Sequence, residues 1–171
     1  IADDPTSGTV GGIDRSSFTF WRNQTVDASD EGAATSASNI QAYMNELWLE
    51  CVRGSDRPDL IVMDGNYFNF FWSAMQAIQR IQSADSAKSG FQSLMYSGPG
   101  GSAPVLYDSA APANHAYFLN TDYLFFEVHP DANFSPLDQQ RPINQDGVSV
   151  PIVFMGNLTM SNASLQGVIK E

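Results

Sequence analysis

Apolar positions along the chain fall into two stretches of helical spacing, joined by a short apolar run and followed by segments that alternate. Between residues 38 and 53, Ile40, Tyr43, Met44, Leu47 and Cys51, with Trp48 beside them, keep one face apolar at three- and four-residue steps. Ser38 with Gln41 makes a capping-box pattern at the start, and Gly54 and Pro58 end the helix. Leu60 to Met63 is a continuous apolar run bounded by polar residues, which predicts a strand covered on both faces. Asp64 follows as a helix N-cap, and Phe68, Phe71, Trp72, Met75, Ile78 and Ile81 then recur as one broad face of a second helix. Burial of those six side chains would contribute about 9–18 kcal/mol before entropy, at about 1.5–3 kcal/mol each. The stretch from Asp59 to Gln82 reads as the core of a module and carries no group suited to chemistry.

The rest of the chain reads as strands and loops. Residues 1–35 are rich in Gly, Ser, Thr and Asp, and form an extended arm in which the alternation of Phe18, Phe20 and Arg22 predicts a short strand. Ser83 to Gly90 is a polar linker and Phe91 to Tyr96 a strand. Gly98 to Gly101 is a mobile turn, and Pro104 to Asp108 another strand. His115 to Asn120 and Tyr123 to His129, separated by Thr121-Asp122, read as a β-hairpin. Pro130 to Asp146 is loop-rich. Val148 to Phe154 alternates, with Pro151 placing it at an edge or bulge, and a last strand runs near Leu165 to Ile169. Helix, strand, helix and then several strands make the fold class α+β.

Composition narrows the function. The chain has 171 residues, 43% of them hydrophobic and 12% aromatic, enough for one good core or two small lobes. Nineteen acidic against eight basic residues give a net charge of −11, which argues against a surface built to neutralise phosphates. No apolar run approaches the ~20 residues of a membrane helix. The single cysteine, Cys51, has no internal disulfide partner and reads as a buried structural thiol. The polar opening IADDPTSGTVGG resembles the middle of a protein, so a processed or truncated product is expected.

The candidate chemistry is weak. His115 and His129 flank the predicted hairpin with Asp108, Asp122 and Asp131 nearby, but without the spacing of a metal site. Glu46 and Glu50, at i,i+4, read as a solvated helix face, and Asp56 with Asp59 as ordinary surface acids rather than a catalytic pair. No nucleophile elbow surrounds Ser36, Ser38 or Ser73, and neither GTVGG nor GPGG is a phosphate loop. Sequons occur at Asn23, Asn133, Asn157 and Asn162. The residues predict no enzyme, no cofactor and no metal.

Several blocks carry a resemblance. TVGGIDR and FWRNQ (within 9–24), RGSDRPDLIVMD (53–64), NYFNFFWSAMQAIQRI (66–81), GFQSL (90–94), NHAYFLNTDYL (114–124), HPDANF (129–134), NQD (144–146) and GNLTMSNASLQGVI (156–169) occur in this order. Together they resemble the C-terminal part of the major capsid proteins of tailed double-stranded DNA bacteriophages, the Hong Kong 97-type fold. The resemblance implies a spine helix, a peripheral lobe and an axial lobe, with the N-terminal arm and extended loop missing or much reduced. It divides the chain into 1–59 (arm and spine helix of the peripheral domain), 60–127 (axial domain) and 128–171 (return to the peripheral domain). It also implies a structural subunit, or a fragment of one, that self-assembles into hexamers and pentamers and encloses DNA without reading its sequence. Scaffold, portal and decoration proteins are the further partners, and the virion, assembled in the bacterial cytoplasm, is the location. Expected assembly contacts are Phe18, Phe20, Trp21, Arg22 and Arg141, with the 97–102 tip and the 131–141 loop. Some family members crosslink through Lys and Asn. With only Lys88 and Lys170 present, no crosslink is expected here. Two other readings stand beside this one: an encapsulin-like compartment with an enzyme as cargo, and a secreted carbohydrate-active or carbohydrate-binding β-rich domain motivated by the sequons.

Overall fold

The computed structural model describes residues 1–76, 94–141 and 143–171. Ile78 and Ile81 of the second helix, the 83–90 linker with Lys88, the first half of the 91–96 strand and Pro142 lie outside the described residues. The described chain forms two compact units, residues 1–121 with 162–171, and residues 122–161.

The first unit is built on a six-stranded mixed sheet. In chain order its elements are β1 (Thr9–Val10), β2 (Ile13–Asp14), β3 (Gln24–Asp27), α1 (Ile40–Cys51), β4 (Leu60–Met63), α2 (Gly65–Gln76), β5 (Leu94–Gly98), β6 (Gly101–Tyr107) and β7 (Ala116–Leu119). The second unit contributes β8 (Leu124–Pro136) and β9 (Ile152–Met160), after which β10 (Gly167–Lys170) rejoins the first sheet. The sheet order is β3-β10-β7-β4-β6-β5, with β3/β10 and β4/β6 parallel and the other neighbours antiparallel. β3, β4 and β10 thus share one sheet, although they are far apart in sequence.

Both helices form where the apolar spacing places them, with different ends and partly different faces. Ile40, Met44, Leu47, Trp48 and Cys51 are all fully buried. α1 lies so close over β10 that a Cβ on Gly167 would stand 2.7 Å from Cys51 Sγ and 2.8 Å from Leu47 Cδ1. The expected capping box does not form. Asn39 is the N-cap residue, and its Oδ1 accepts from Ser36 N at 2.6 Å, while Gln41 reaches Met75 Sδ at 3.3 Å. Asp64 caps α2 as expected, accepting from the amides of Asn66 (3.2 Å) and Tyr67 (3.0 Å), and it also accepts from Asn114 N at 3.0 Å. The innermost residues of α2 are Tyr67 and Phe71, while Phe68 and Trp72 are half-buried, so the described helix face is rotated from the expected one. In β4, Ile61 and Met63 are fully buried and Leu60 and Val62 only half so, which corrects the expectation of equal cover on both faces. Trp48, Tyr96 and Phe118 meet at centroid distances of 5.2–6.4 Å and tie α1 to β5 and β7.

The predicted hairpin between 115–120 and 123–129 is absent. Both edges of β7 are already filled, by β4 and β10. The chain is turned out of the sheet by side chains remote in sequence. Gln166 accepts from Asn120 N at 2.9 Å and donates to its carbonyl at 3.0 Å, and Asp59 accepts from Thr121 N at 2.8 Å and from its hydroxyl. Thr121–Tyr123 becomes a 3-10 turn, and the residues after it form β8. The strand expected across Phe18 to Arg22 is likewise a 3-10 turn, Thr19–Trp21, and the strand of this region is β3 instead.

The second unit is a two-stranded antiparallel ribbon with register shifts between Val128 and Asn133 and between Asn133 and Ser135. Much of the segment expected to be loop is therefore strand, and the alternating strand expected at 148–154 lies at 152–160. Pairing and alternation put Phe126, Ile152, Phe154 and Leu158 on one face, joined by Phe134, which stacks on Phe154 at 4.7 Å. That face is open: Phe126, Phe134, Ile152 and Leu158 are 65–68% exposed.

Candidate assembly surfaces

The groups considered for chemistry are engaged in structural contacts. His115 Nδ1 meets Ala113 O at 2.7 Å, and its Nε2 stands 3.3 Å from an Asp3 carboxylate oxygen. Nε2 has no hydrogen-bond partner, so this is an ion-pair distance without hydrogen-bond geometry. His129 Nδ1 accepts from Asp131 N at 3.2 Å. Among the described residues, no three His, Cys, Asp or Glu side chains are placed to hold a metal ion. Burial pushes the Cys51 thiol up to about 12, which leaves it protonated and unreactive at neutral pH. The sequon residue Asn23 is buried, with Nδ2 bonded to Ala2 O at 2.9 Å and Oδ1 to Ala2 N at 3.0 Å. No described helix is long and apolar enough to cross a membrane.

The expected contact residues divide by what they touch. Trp21 Nε1 donates to Val10 O at 3.1 Å, and Arg22 donates to the carbonyls of Arg15 (2.8 Å) and Ser16 (3.1 Å). These two brace the small β1–β2 hairpin from inside. Phe18 and Phe20 point outward, edge to face at 5.8 Å. Arg141 is exposed in the other unit, between β8 and β9, where Gln140 and Ser149 exchange backbone hydrogen bonds of 2.8 and 2.9 Å. The 97–102 tip is a tight hairpin turn held by α1. Trp48 Nε1 donates to Pro99 O at 3.1 Å, and a Cβ on Gly98 would lie 2.6 Å from the Trp48 ring.

A further surface has no counterpart in the sequence reading. Two adjoining hollows of about 450 and 380 Å³ share Pro5, Thr25 and Glu50 as lining residues, and together they follow the outer edge of β3. The smaller is strongly acidic. Asp3 and Asp4 come from the N-terminal arm, Asp30 and Glu31 from the turn after β3, and Glu46 and Glu50 from α1. Asp27 and Lys170 pair at 2.9 Å, and that hydrogen bond holds the Asp27 carboxyl below its ordinary value and the Lys170 ammonium above. Burial, then Glu46 and Glu31, raises Glu50. Hydrogen bonds from Thr6 and Ser7 hold Asp4 at about 2. Glu46 and Glu50, expected as a plain solvated face, form one wall of this groove. The i,i+4 acids were visible in the sequence, but the strand they stand beside was not.

No protein-family model matches the sequence, and no curated protein does. In three dimensions the chain is similar to the encapsulin of the holo-SrpI complex from Synechococcus elongatus PCC 7942, with a TM-score of 0.50 at 11% identity. The similarity covers 86% of this chain and 52% of the encapsulin, so the chain spans about half the length of that protein. The shared architecture is the α+β, Hong Kong 97-like fold.

Proposed function

We propose that the chain is a structural subunit, or a portion of one, of an icosahedral bacteriophage capsid that assembles into hexamers and pentamers around double-stranded DNA. The observation that carries this reading is the fold shared with an encapsulin, a shell protein, over most of the chain. Supporting it are the capsid-protein blocks along the sequence and the exposed apolar ribbon face, which suits a protein that meets copies of itself. In this reading the six-stranded unit serves as the axial lobe and the β8–β9 ribbon belongs to the peripheral lobe. α1, the helix expected as the spine, is 12 residues long and packs its buried face on that sheet. Phe18, Phe20 and Arg141 are the outward-facing contact residues, scaffold and portal proteins the further partners, and the virion the location.

The test is to express the full-length gene product and examine it by sedimentation and electron microscopy. Closed particles are expected, and a product that stays monomeric in the presence of its scaffold would overturn the proposal. A second reading, an encapsulin-like compartment, is favoured by the identity of the structural neighbour. DNA-filled particles support the capsid, and particles holding a protein cargo support the compartment.

A further inference from the structure

The outer edge of β3 is an unpaired strand edge set in a charged groove. The amides of Gln24 and Ala28 donate to the carbonyls of Gln166 and Lys170 at 2.9 Å, so β10 takes the inward set of groups. Period-two alternation then turns the Thr25 amide and carbonyl and the Asp27 amide away from β10. β3 is the end strand of the sheet, and no strand among the described residues pairs with that side. The edge is a short template of backbone donors and acceptors.

The two walls beside it lie on opposite faces of the sheet. α1 covers the face bearing Val26 and Gly167, as the approach of Leu47 and Cys51 to Gly167 requires. The arm covers the other face, where Asp3 reaches His115 beside the Asp27–Lys170 pair. Alternate side chains of a strand added to β3 would therefore face Glu46 and Glu50 on one side and Asp3 and Asp4 on the other. These carboxylates are spread along the groove and form no metal cluster among the described residues. Toward Gln24 the groove ends at the exposed ring of Phe20, with Arg22 and Arg53 also lining that end, so positive charge on a guest is disfavoured there.

We propose that this groove takes an extended polypeptide segment by strand addition, with Lys or Arg at the Asp27 end and apolar residues at the Phe20 end. Backbone hydrogen bonds to Thr25 and Asp27 would supply the affinity, and the two acidic walls would select the basic segment. A guest spanning the four residues of β3 covers about 13 Å at ~3.3 Å per residue. The inference stands on the edge and the groove alone and does not depend on the shell reading.

The experiment uses the whole chain and two labelled octapeptides, Val-Thr-Val-Thr-Lys-Lys-Thr-Thr, whose two Lys face opposite walls, and its reverse. Each is paired with an analogue of equal charge in which two Thr are replaced by Pro. Fluorescence anisotropy at about 0.1 M salt should show at least one parent peptide binding tenfold or more tightly than its Pro analogue. Hydrogen exchange at the Thr25 amide should slow at least tenfold on binding. Glu46→Gln with Glu50→Gln should weaken binding at least fivefold with far-UV circular dichroism unchanged. Thr25→Pro, which removes the edge donor, should do the same if it folds. Equal binding of parent and Pro peptides would mean a merely acidic surface and would overturn strand addition, as would no binding at all. Thr25 protection that rises with protein concentration in the absence of peptide would identify a second copy as the occupant, and would overturn the basic-segment assignment.

Discussion

The contact between α1 and β10 gives the sharpest quantitative expectation. Gly167→Ala would place a methyl group 2.7 Å from Cys51 Sγ, 2.8 Å from Leu47 Cδ1 and 2.9 Å from Leu47 Cγ. Both neighbours are fully buried, so neither can swing into solvent, and the helix or its side chains must shift. Overpacking of this kind costs about 1–3 kcal/mol. In a chain of this size each kcal/mol moves the melting temperature by about 2–4 °C, so the variant should melt roughly 2–12 °C lower by circular dichroism. The cause can be isolated with Leu47→Ala, which alone should cost about 2–5 kcal/mol through its cavity. Placed together, the two changes partly fill the same space, so their combined cost should fall at least ~1 kcal/mol below the sum. Strict additivity, or a Gly167→Ala protein as stable as its parent, would refute the close approach of α1 to the sheet.

Trp48→Phe replaces the indole by a smaller phenyl ring and removes the donor to Pro99 O, so it should cost about 1 kcal/mol for the hydrogen bond plus a cavity term at this fully buried site, and speed amide exchange in the 97–102 turn, read by mass spectrometry. The Asp27 carboxyl is held below its ordinary value by the Lys170 hydrogen bond. Its contribution is therefore fully present above the unfolded value of 3.8 and is lost as pH falls through the folded value. Urea midpoints measured from pH 5 to pH 2 should fall less steeply in Asp27→Asn than in the parent. Phe126→Ser with Leu158→Ser, on the open ribbon face, should reduce binding of a hydrophobic dye and abolish particle formation by the full-length protein, with the melting of the six-stranded unit unchanged. Charge reversal at Arg141 should impair particle assembly, and normal assembly would remove it from the contact set.

The two helices, the 60–63 strand and the Asp64 cap were legible because each is decided within about a dozen residues, by spacing and by one side chain reaching a nearby amide. The hairpin error has a physical source. Thr121-Asp122 between two apolar segments is a sound local turn signal, but the turn is decided by Asp59 and Gln166, 62 and 46 residues away. β3 was hidden for a similar reason. Gln24-Thr25-Val26-Asp27 has one apolar residue and no alternation long enough to read, and it is a strand because β10 supplies its partner. Of the residues expected as contacts, Phe18 and Phe20 are exposed, whereas Arg22 spends its guanidinium on two carbonyls that no short-range pattern reveals.

A two-stranded ribbon is marginal on its own in water, because one face at most can be covered by its own side chains. β8 and β9 nevertheless pair over Leu124–Val128 and again between Asn133 and Pro136, and they place the aromatic pairs Phe126–Phe154 and Phe134–Phe154 on a face that stays open. A monomer gains little from such an arrangement, since Phe126 and Phe134 remain largely hydrated and the backbone of both strands is ordered to present them. The acidic surface pulls the other way: at −11, copies of the chain repel one another before any apolar face can meet. If copies associate as proposed, association depends on contacts that are locally apolar or that bring scarce positive charge, such as the exposed Arg141, against carboxylates. That combination of long-range repulsion and short-range apolar attraction is what a subunit needs if it is to stay soluble alone and join only in a defined register.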